Sequence, residues 1–136
     1  MTMNGSLSVF DISGRAMSAQ LVRLNTTASN LANAGTIAGS EAGAYRAMKP
    51  VFRTVMDDSG RATVAVDQIT QTKMAPGKKH DPNNPLADKD GNVWEAAVDS
   101  AAELVEMVET ARQYQNNVQV LETAKGLINE TLRMGQ

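Results

Sequence analysis

The fold is decided by residues 98–134, which read VDSAAELVEMVETARQYQNNVQVLETAKGLINETLRM. This stretch contains no proline, and Gly126 is its only glycine. Apolar residues return at alternating spacings of three and four, the heptad pattern of a helix that packs against another helix. The heptad positions are Leu104, Met107, Ala111, Tyr114, Val118, Leu121, Lys125, Ile128 and Leu132.

A single helix over this stretch would be about 55 Å long, because an α-helix rises about 1.5 Å per residue. A compact domain of this chain's length has a radius of gyration of only roughly 14 Å. We therefore expect the helix to extend beyond any globule that the rest of the chain can form. Its apolar side must be covered by this chain or by a neighbouring copy.

The first 36 residues repeat the pattern, and their heptad positions are Leu7, Phe10, Gly14, Met17, Leu21, Leu24, Ala28 and Leu31. Ser6 is a suitable N-cap and Gly35 a suitable terminator, so we predict a helix of roughly 28 residues. Both helices also carry apolar residues off these positions, which indicates more than one partner surface. The additional residues are Val9, Ile12, Val105, Val108 and Val120.

The middle of the chain has shorter patterns. Residues 34–44 are small and rich in glycine, and we predict a loop. Alternating apolar residues in 45–56 and 61–72, separated by a four-residue turn, predict a β hairpin whose first strand lies at an edge because of Pro50. Residues 73–92 contain three of the four prolines and are predicted to be extended and solvated.

These elements predict a mainly α protein with a small β hairpin, elongated, whose long N- and C-terminal helices pair as an antiparallel coiled coil. Residues 1–36 and 98–136 would form one coiled-coil domain. Residues 37–97 would be an insertion made of the loop, the hairpin and the proline-rich segment.

The composition excludes several classes of protein. A net charge of −2 without a clustered basic surface does not fit a nucleic-acid-binding protein. Without cysteine the chain has neither disulfides nor thiolate metal sites. The N-terminus lacks a basic first segment followed by an apolar run, so we expect no cleaved secretory signal. No run of 18 apolar residues exists, and we expect no transmembrane segment.

No catalytic or metal site is indicated. His80 is the only histidine, and it lies in the proline-rich segment without a positioned partner. Asp88, Asp90 and Gly91 faintly resemble a calcium loop, but the required glycine and glutamate positions are not matched. We therefore expect a protein that is not an enzyme, with no catalytic residues, no cofactor and no metal.

One face of the last helix is rich in amides and poor in charge, with Gln113, Gln115, Asn116, Asn117 and Gln119 around Tyr114. Two interpretations stay open. The face is either solvated or a surface between subunits, where charged residues are depleted and amides can be paired.

The block ASNLANAGT at residues 28–36 resembles the signature of the axial proteins of the bacterial flagellum, the rod and hook family. Three further stretches extend the resemblance over essentially the whole chain. They are AYRAMKPVF at 44–52, DPNNPLADKDGNV at 81–93 and ELVEMVETARQYQNNVQVLETAKGLINETLRMGQ at 103–136. The chain departs from the family at Asn92, where an aromatic residue is usual, and at residues 95–97, which replace a lead that contains proline.

The resemblance implies a structural subunit of the periplasmic rod that drives the flagellum. Such a subunit is exported without a cleaved signal through the flagellum's own secretion apparatus. It assembles with other rod proteins and copies of itself, next to ring and export components, with no nucleic acid and no direct membrane insertion. In this family the terminal segments are typically unfolded before assembly, and the terminal helices form an inner coiled-coil layer.

The expected subunit contacts are the apolar heptad positions, the amides that end the first helix and the amide-rich face of the last. They are Leu7, Phe10, Met17, Leu21, Leu24, Asn30, Leu31, Asn33, Leu104, Met107, Tyr114, Gln115, Asn116, Asn117, Val118, Leu121, Ile128 and Leu132. A soluble coiled-coil adaptor or chaperone-like binding module, which would use the apolar side to hold a partner's helix, is the alternative function.

Overall fold

The computed structural model describes the backbone of residues 3–135 and the side chains of residues 9–135. Within that range, two long helices and five strands follow one another. They are α1 (Met3–Asn33), β1 (Ile37–Ala38), β2 (Met48–Met56), β3 (Ala62–Gln71), β4 (Gly77–His80), β5 (Asn92–Glu95) and α2 (Ser100–Met134). The content is 47% helix and 24% strand, so the chain combines two helices with antiparallel strands instead of being mainly α.

Helix α1 begins at Met3, before the predicted cap at Ser6, and ends at Asn33, close to the predicted end. Its last turn is closed by side chains. The amide Nδ2 of Asn33 donates to the carbonyl oxygen of Ser29 at 2.9 Å, and the hydroxyl of Thr36 donates to the carbonyl oxygen of Asn33 at 2.8 Å. These bonds satisfy carbonyl groups that a helix end leaves without a partner.

Helix α2 confirms the predicted single helix. It has 35 residues and a length of about 53 Å. Asp99 is its N-cap, and the carboxylate of this residue accepts a hydrogen bond from the backbone amide of Ala102 at 3.2 Å. Gly126 does not interrupt the helix, which continues to Met134.

Strands β2 and β3 form the predicted hairpin, with Met48 opposite Gln71 and Met56 opposite Ala62. The turn between them is organised by Asp57, whose carboxylate accepts hydrogen bonds from the backbone amides of Ser59 and Arg61, both at 2.9 Å. The side chain of Arg61 also donates to this carboxylate and lowers the pKa of Asp57. Gly60 occupies the left-handed position of the turn, with φ at 74°. The hairpin packs on α1.

A second sheet, in the order β1-β5-β4, corrects the predictions for two segments. Residues 37–38 lie in the predicted loop, and residues 77–80 lie in the segment predicted to be solvated. Both pair in antiparallel fashion with β5, in which Val93 is buried. Strands of two and four residues are too short to produce a readable alternation, and their partner lies far away in the sequence.

Candidate assembly surface

The junction between α1 and the hairpin is built around the side chain of Asn30, which is only 1% exposed. Its Oδ1 accepts hydrogen bonds from the backbone amide of Met48 and from the hydroxyl of Tyr45, both at 2.8 Å. Its Nδ2 donates to the carbonyl oxygen of Met48 at 2.9 Å. The side-chain amide therefore pairs with Met48 as a neighbouring strand would, and it fixes the start of β2 to the helix.

This junction joins two of the sequence blocks that carry the family resemblance, residues 28–36 and 44–52. The hydroxyl groups of Ser29 and Tyr45 lie 3.3 Å apart and form a further hydrogen bond across it. Asn30 and Asn33, which were predicted to contact other subunits, direct these hydrogen bonds to their own chain. Their hydrogen bonds therefore stabilise the fold of the subunit itself.

In both helices the packing face differs from the predicted one at every second heptad position. At those positions the preceding residue in the sequence turns inward instead of the predicted residue. Leu21, Ala28, Leu104 and Lys125 were predicted on the packing faces and are exposed instead, whereas their neighbours in sequence Gln20, Thr27, Glu103 and Ala124 turn inward. Along α1 the buried and half-buried face contains Ser13, Met17, Gln20, Leu24, Thr27 and Leu31. Along α2 it contains Glu103, Met107, Thr110, Tyr114, Asn117, Leu121, Ala124 and Ile128.

Two buried threonines of these helices have hydroxyl partners in the helix itself. Thr110 is 0% exposed, and its hydroxyl donates to the carbonyl oxygen of Glu106 at 2.7 Å. Thr26 donates in the same way to the carbonyl oxygen of Arg23 at 2.8 Å. Each threonine therefore fills space between elements without leaving its hydroxyl unpaired.

An ion pair links the two helices. The guanidinium of Arg23 on α1 donates to the carboxylate of Glu106 on α2 through Nε and also contacts it through Nη2. Its Nη1 donates to Oε1 of Gln113 at 3.4 Å. The Arg23 side chain is largely buried, and a guanidinium held by several acceptors sets the position of one helix along the other.

An apolar patch remains on the side of α2 that faces away from α1. It consists of Leu104, Val105 and Val108, and we name it the outer patch. Leu104 is 55% exposed and Val105 is 67% exposed. With Glu109 and Arg112 these residues line an open groove of about 500 Å³. Further exposed apolar side chains follow towards the end of the helix at Val120, Leu127 and Leu132.

Comparison with known proteins now identifies the family. The family model described as flagella basal body rod protein matches residues 10–36, and the model for the C-terminal part of the flagellar basal body rod FlgEFG proteins matches residues 89–134. The FlgC rod protein of Salmonella typhimurium is 41% identical over 132 residues, which covers 96% of this chain and 98% of that protein. The chain belongs to the FlgC family of flagellar basal-body rod proteins.

Relatives at different distances support the same assignment. The FlgC protein of Yersinia enterocolitica is 43% identical over 132 residues, covering 96% of this chain and 98% of that protein. The FlgC protein of Aquifex aeolicus is 34% identical over 128 residues, covering 91% and 92%. The resemblance to rod proteins is therefore confirmed. As a member of the FlgC family, the chain is a structural subunit of the flagellar basal body and not an enzyme.

Apart from Leu7 and the buried Asn30, the expected contact residues of this FlgC-family chain fall into two groups. The first group is exposed, and it consists of Leu21, Leu104, Gln115, Asn116 and Leu132. The second group is half-buried in the chain itself, and it consists of Phe10, Met17, Leu24, Leu31, Asn33, Met107, Tyr114, Asn117, Val118, Leu121 and Ile128. The side chain of Leu7 lies outside the described residues.

Among the residues that the structure describes, no three histidine, aspartate or glutamate side chains are grouped so that they could hold a metal ion. His80 is exposed on β4, with Nδ1 at 3.2 Å from Oδ1 of Asn92. Neither described helix is long and apolar enough to cross a membrane.

Proposed function

We propose that this chain polymerises through its terminal helices into the periplasmic rod and transmits torque as part of the flagellar drive shaft. It would be exported without a cleaved signal through the flagellar secretion apparatus and would lie next to ring and export components. The outer patch carries the proposal, because an exposed apolar surface of this kind on a long helix needs a partner.

The proposed unit is one elongated coiled-coil domain made of residues 1–36 and 98–136, with the helices antiparallel and residues 37–97 inserted as an outer lobe. The pairing of Arg23 with Glu106 supports the alignment of the two helices. The hydrogen bond from the backbone amide of Ala96 to the carbonyl oxygen of Thr36 supports the closeness of the end of α1 to the start of α2.

Two kinds of residue would have different roles, one within a subunit and one between subunits. Half-buried positions such as Met107, Leu121 and Ile128 would hold the two helices of one subunit together. Exposed positions such as Leu104 would contact neighbours, and the amide-rich face would pair with polar groups of the next subunit. Burial of apolar area contributes about 25 cal/mol per Å², and distribution of that burial along whole helices would resist shear.

Replacement of Leu104 by aspartate tests this function. The substitution puts a charge on the outer patch without touching the faces that hold α1 and α2 together. In a flagellated strain that lacks its own FlgC, we expect the Leu104→Asp chain to be produced at normal levels and to give no motility and no complete rods by electron microscopy. Glu122→Gln, a change at an exposed site on the same helix, should restore motility fully.

Normal swimming of the Leu104→Asp strain would show that the outer patch is not a subunit contact in the proposed assembly. The alternative, a soluble adaptor, is not favoured by the family. It predicts that the purified chain is a discrete oligomer in size-exclusion chromatography. A rod subunit should instead stay monomeric until other rod proteins are added.

A further inference from the structure

An open groove lies between α1 and β3, and it has a volume of about 540 Å³. Its apolar lining comes from both elements, with Phe10 and Val22 on α1 and Val64 and Val66 on β3. The α1 residues that line it are separate from the face of α1 that packs on α2. We name this recess the hairpin groove.

The α1 side of the hairpin groove also contains small residues, Gly14, Ser18 and Ala19. Apart from its chain neighbours and the adjacent backbone of its own helix, a Cβ atom at Gly14 meets no atom within 4 Å. The space above this glycine is therefore open. Small side chains let a second helix approach α1 closely at this place, because the distance between packed helices depends on the side chains at the contact.

Two opposite charges border the hairpin groove. Asp11 and Arg15 lie one helical turn apart, and their side chains are more than half exposed. They form an ion pair with each other, with 3.5 Å between Nε of Arg15 and Oδ2 of Asp11. An exposed pair of this kind contributes little to the stability of its own chain. Both charged groups can therefore also pair with a partner at the groove.

The outer patch of α2 has the complementary features. It is an exposed apolar surface on a helix, and Glu109 and Arg112 lie beside it. Its charges follow the same order along the chain as Asp11 and Arg15, an acid and then a base. Two helices with this order attract each other only when they run antiparallel, because Arg15 then faces Glu109 and Asp11 faces Arg112. The same arrangement places the outer patch towards Val22, in the apolar part of the groove.

We propose that the hairpin groove of one copy of this chain receives the outer patch of a second copy, with Arg15 paired to Glu109 and Asp11 paired to Arg112. The proposal rests on the function proposed above, because it names the partner of the outer patch. The groove lies on α1, and the patch lies on the side of α2 that faces away from α1, so one copy can use both surfaces at once. A contact between two different surfaces of identical subunits adds copies in series, as a ring or a helical assembly requires.

Charge reversal tests the pairing. Each full-length variant is expressed in a flagellated strain that lacks its own FlgC. We expect Arg15→Glu and Glu109→Arg, each alone, to reduce the number of complete basal bodies at least about tenfold, because like charges then meet at every contact between copies. Glu122→Arg makes the same change at an exposed site of α2 and should assemble as the unchanged chain does.

The chain that carries both Arg15→Glu and Glu109→Arg identifies the partner. If the partner is a second copy, opposite charges meet again, and assembly should return to at least about half of the unchanged level. A double variant that assembles no better than the single variants would overturn the proposal, since the partner would then be a different protein. Normal assembly of both single variants would overturn it too, as would a defect of Glu122→Arg as large as that of Glu109→Arg.

Cross-linking tests the contact directly, because the chain contains no cysteine of its own. A chain with both Ser18→Cys and Val105→Cys carries one thiol in the groove and one in the patch. In isolated basal bodies, a short thiol-reactive cross-linker should produce a ladder of species at multiples of 14.5 kDa. Each single-cysteine variant should stay at the mass of one chain. Assembled rods of the double-cysteine chain that give no ladder would contradict the proposed contact.

The melting temperatures of the purified chains separate an assembly role from a structural one. Arg15→Glu and Glu109→Arg change exposed charges, so both should melt within about 3 °C of the unchanged chain. A larger fall that is reversed in the double variant would overturn the proposal, because the two charges would then act within one chain.

Failure of this proposal would leave the proposed function standing. The unchanged chain would still restore motility, and Leu104→Asp would still block it. Failure of the proposed function would instead show as a lack of complementation by the unchanged chain.

Discussion

Asn30 is the residue on which the start of the hairpin depends. Its side-chain amide offers one acceptor and one donor in the arrangement of a peptide group, and both groups bond to the backbone of Met48. The sequence predicted a contact with another subunit for this asparagine. It could not indicate that the partner is the backbone of a residue 18 positions later in the same chain, because such a contact exists only after the chain folds back.

We predict that Asn30→Leu lowers the free energy of unfolding by about 2–4 kcal/mol. The substitution keeps the number of side-chain heavy atoms but removes the partners of the backbone amide and carbonyl of Met48, which are partly buried. Urea unfolding followed by circular dichroism measures the change. Asn25→Leu, at an exposed site on the same helix, should change stability by less than about 0.5 kcal/mol. Equal stability of the two variants would show that the Asn30 bonds are not needed.

At the scale of elements, the helices form where the heptad pattern predicts them, but their packing faces are rotated. Apolar periodicity locates a helix reliably, because the pattern repeats over many turns. It does not predict which of two adjacent rows of residues packs on the other helix. Here Thr110 and Glu103 turn inward while Leu104 faces out, a choice linked to the ion pair of Arg23 with Glu106.

We predict that Gly126→Ala stabilises α2. Apart from its chain neighbours and the adjacent backbone of its own helix, a Cβ atom at this position meets no atom within 4 Å, and alanine is favoured over glycine inside a helix by about 0.5–1 kcal/mol. The helical signal in circular dichroism and the melting temperature should both rise. Gly60→Ala is the opposing control, because its φ of 74° disfavours any side chain, so this variant should lose stability. A fall in stability for Gly126→Ala would indicate that the helix needs flexibility there.

At the scale of the whole molecule, the chain buries few large apolar side chains. The buried apolar residues among those described are four alanines and one valine: Ala19, Ala44, Ala47, Val93 and Ala97. Three large apolar residues of α2 are exposed instead: Leu104, Val105 and Val108. A small core together with a long exposed helix is expected of a subunit whose exposed apolar surface is buried by neighbouring subunits.

We predict that Leu121→Asp and Leu104→Asp both prevent assembly, but for different reasons. Leu121 is half-buried on the face of α2 that packs on α1, so a carboxylate there should lower the free energy of unfolding by about 2–3 kcal/mol and also abolish assembly. Leu104→Asp should leave the stability of the free chain within about 0.5 kcal/mol. Thermal unfolding of both purified variants measures the difference. Equal destabilisation by the two would mean that Leu104 belongs to the packing of its own subunit.

The sequence by itself determined the two long helices, the hairpin and its turn, and the membership of the rod family, because each follows from a local or repeated pattern. Only the tertiary structure decided that residues 37–38 and 77–80 pair with β5 and that the apolar row at Leu104 faces outward. These features depend on contacts between residues far apart in the chain. Such contacts are set by the packing of whole elements, and no local pattern specifies them.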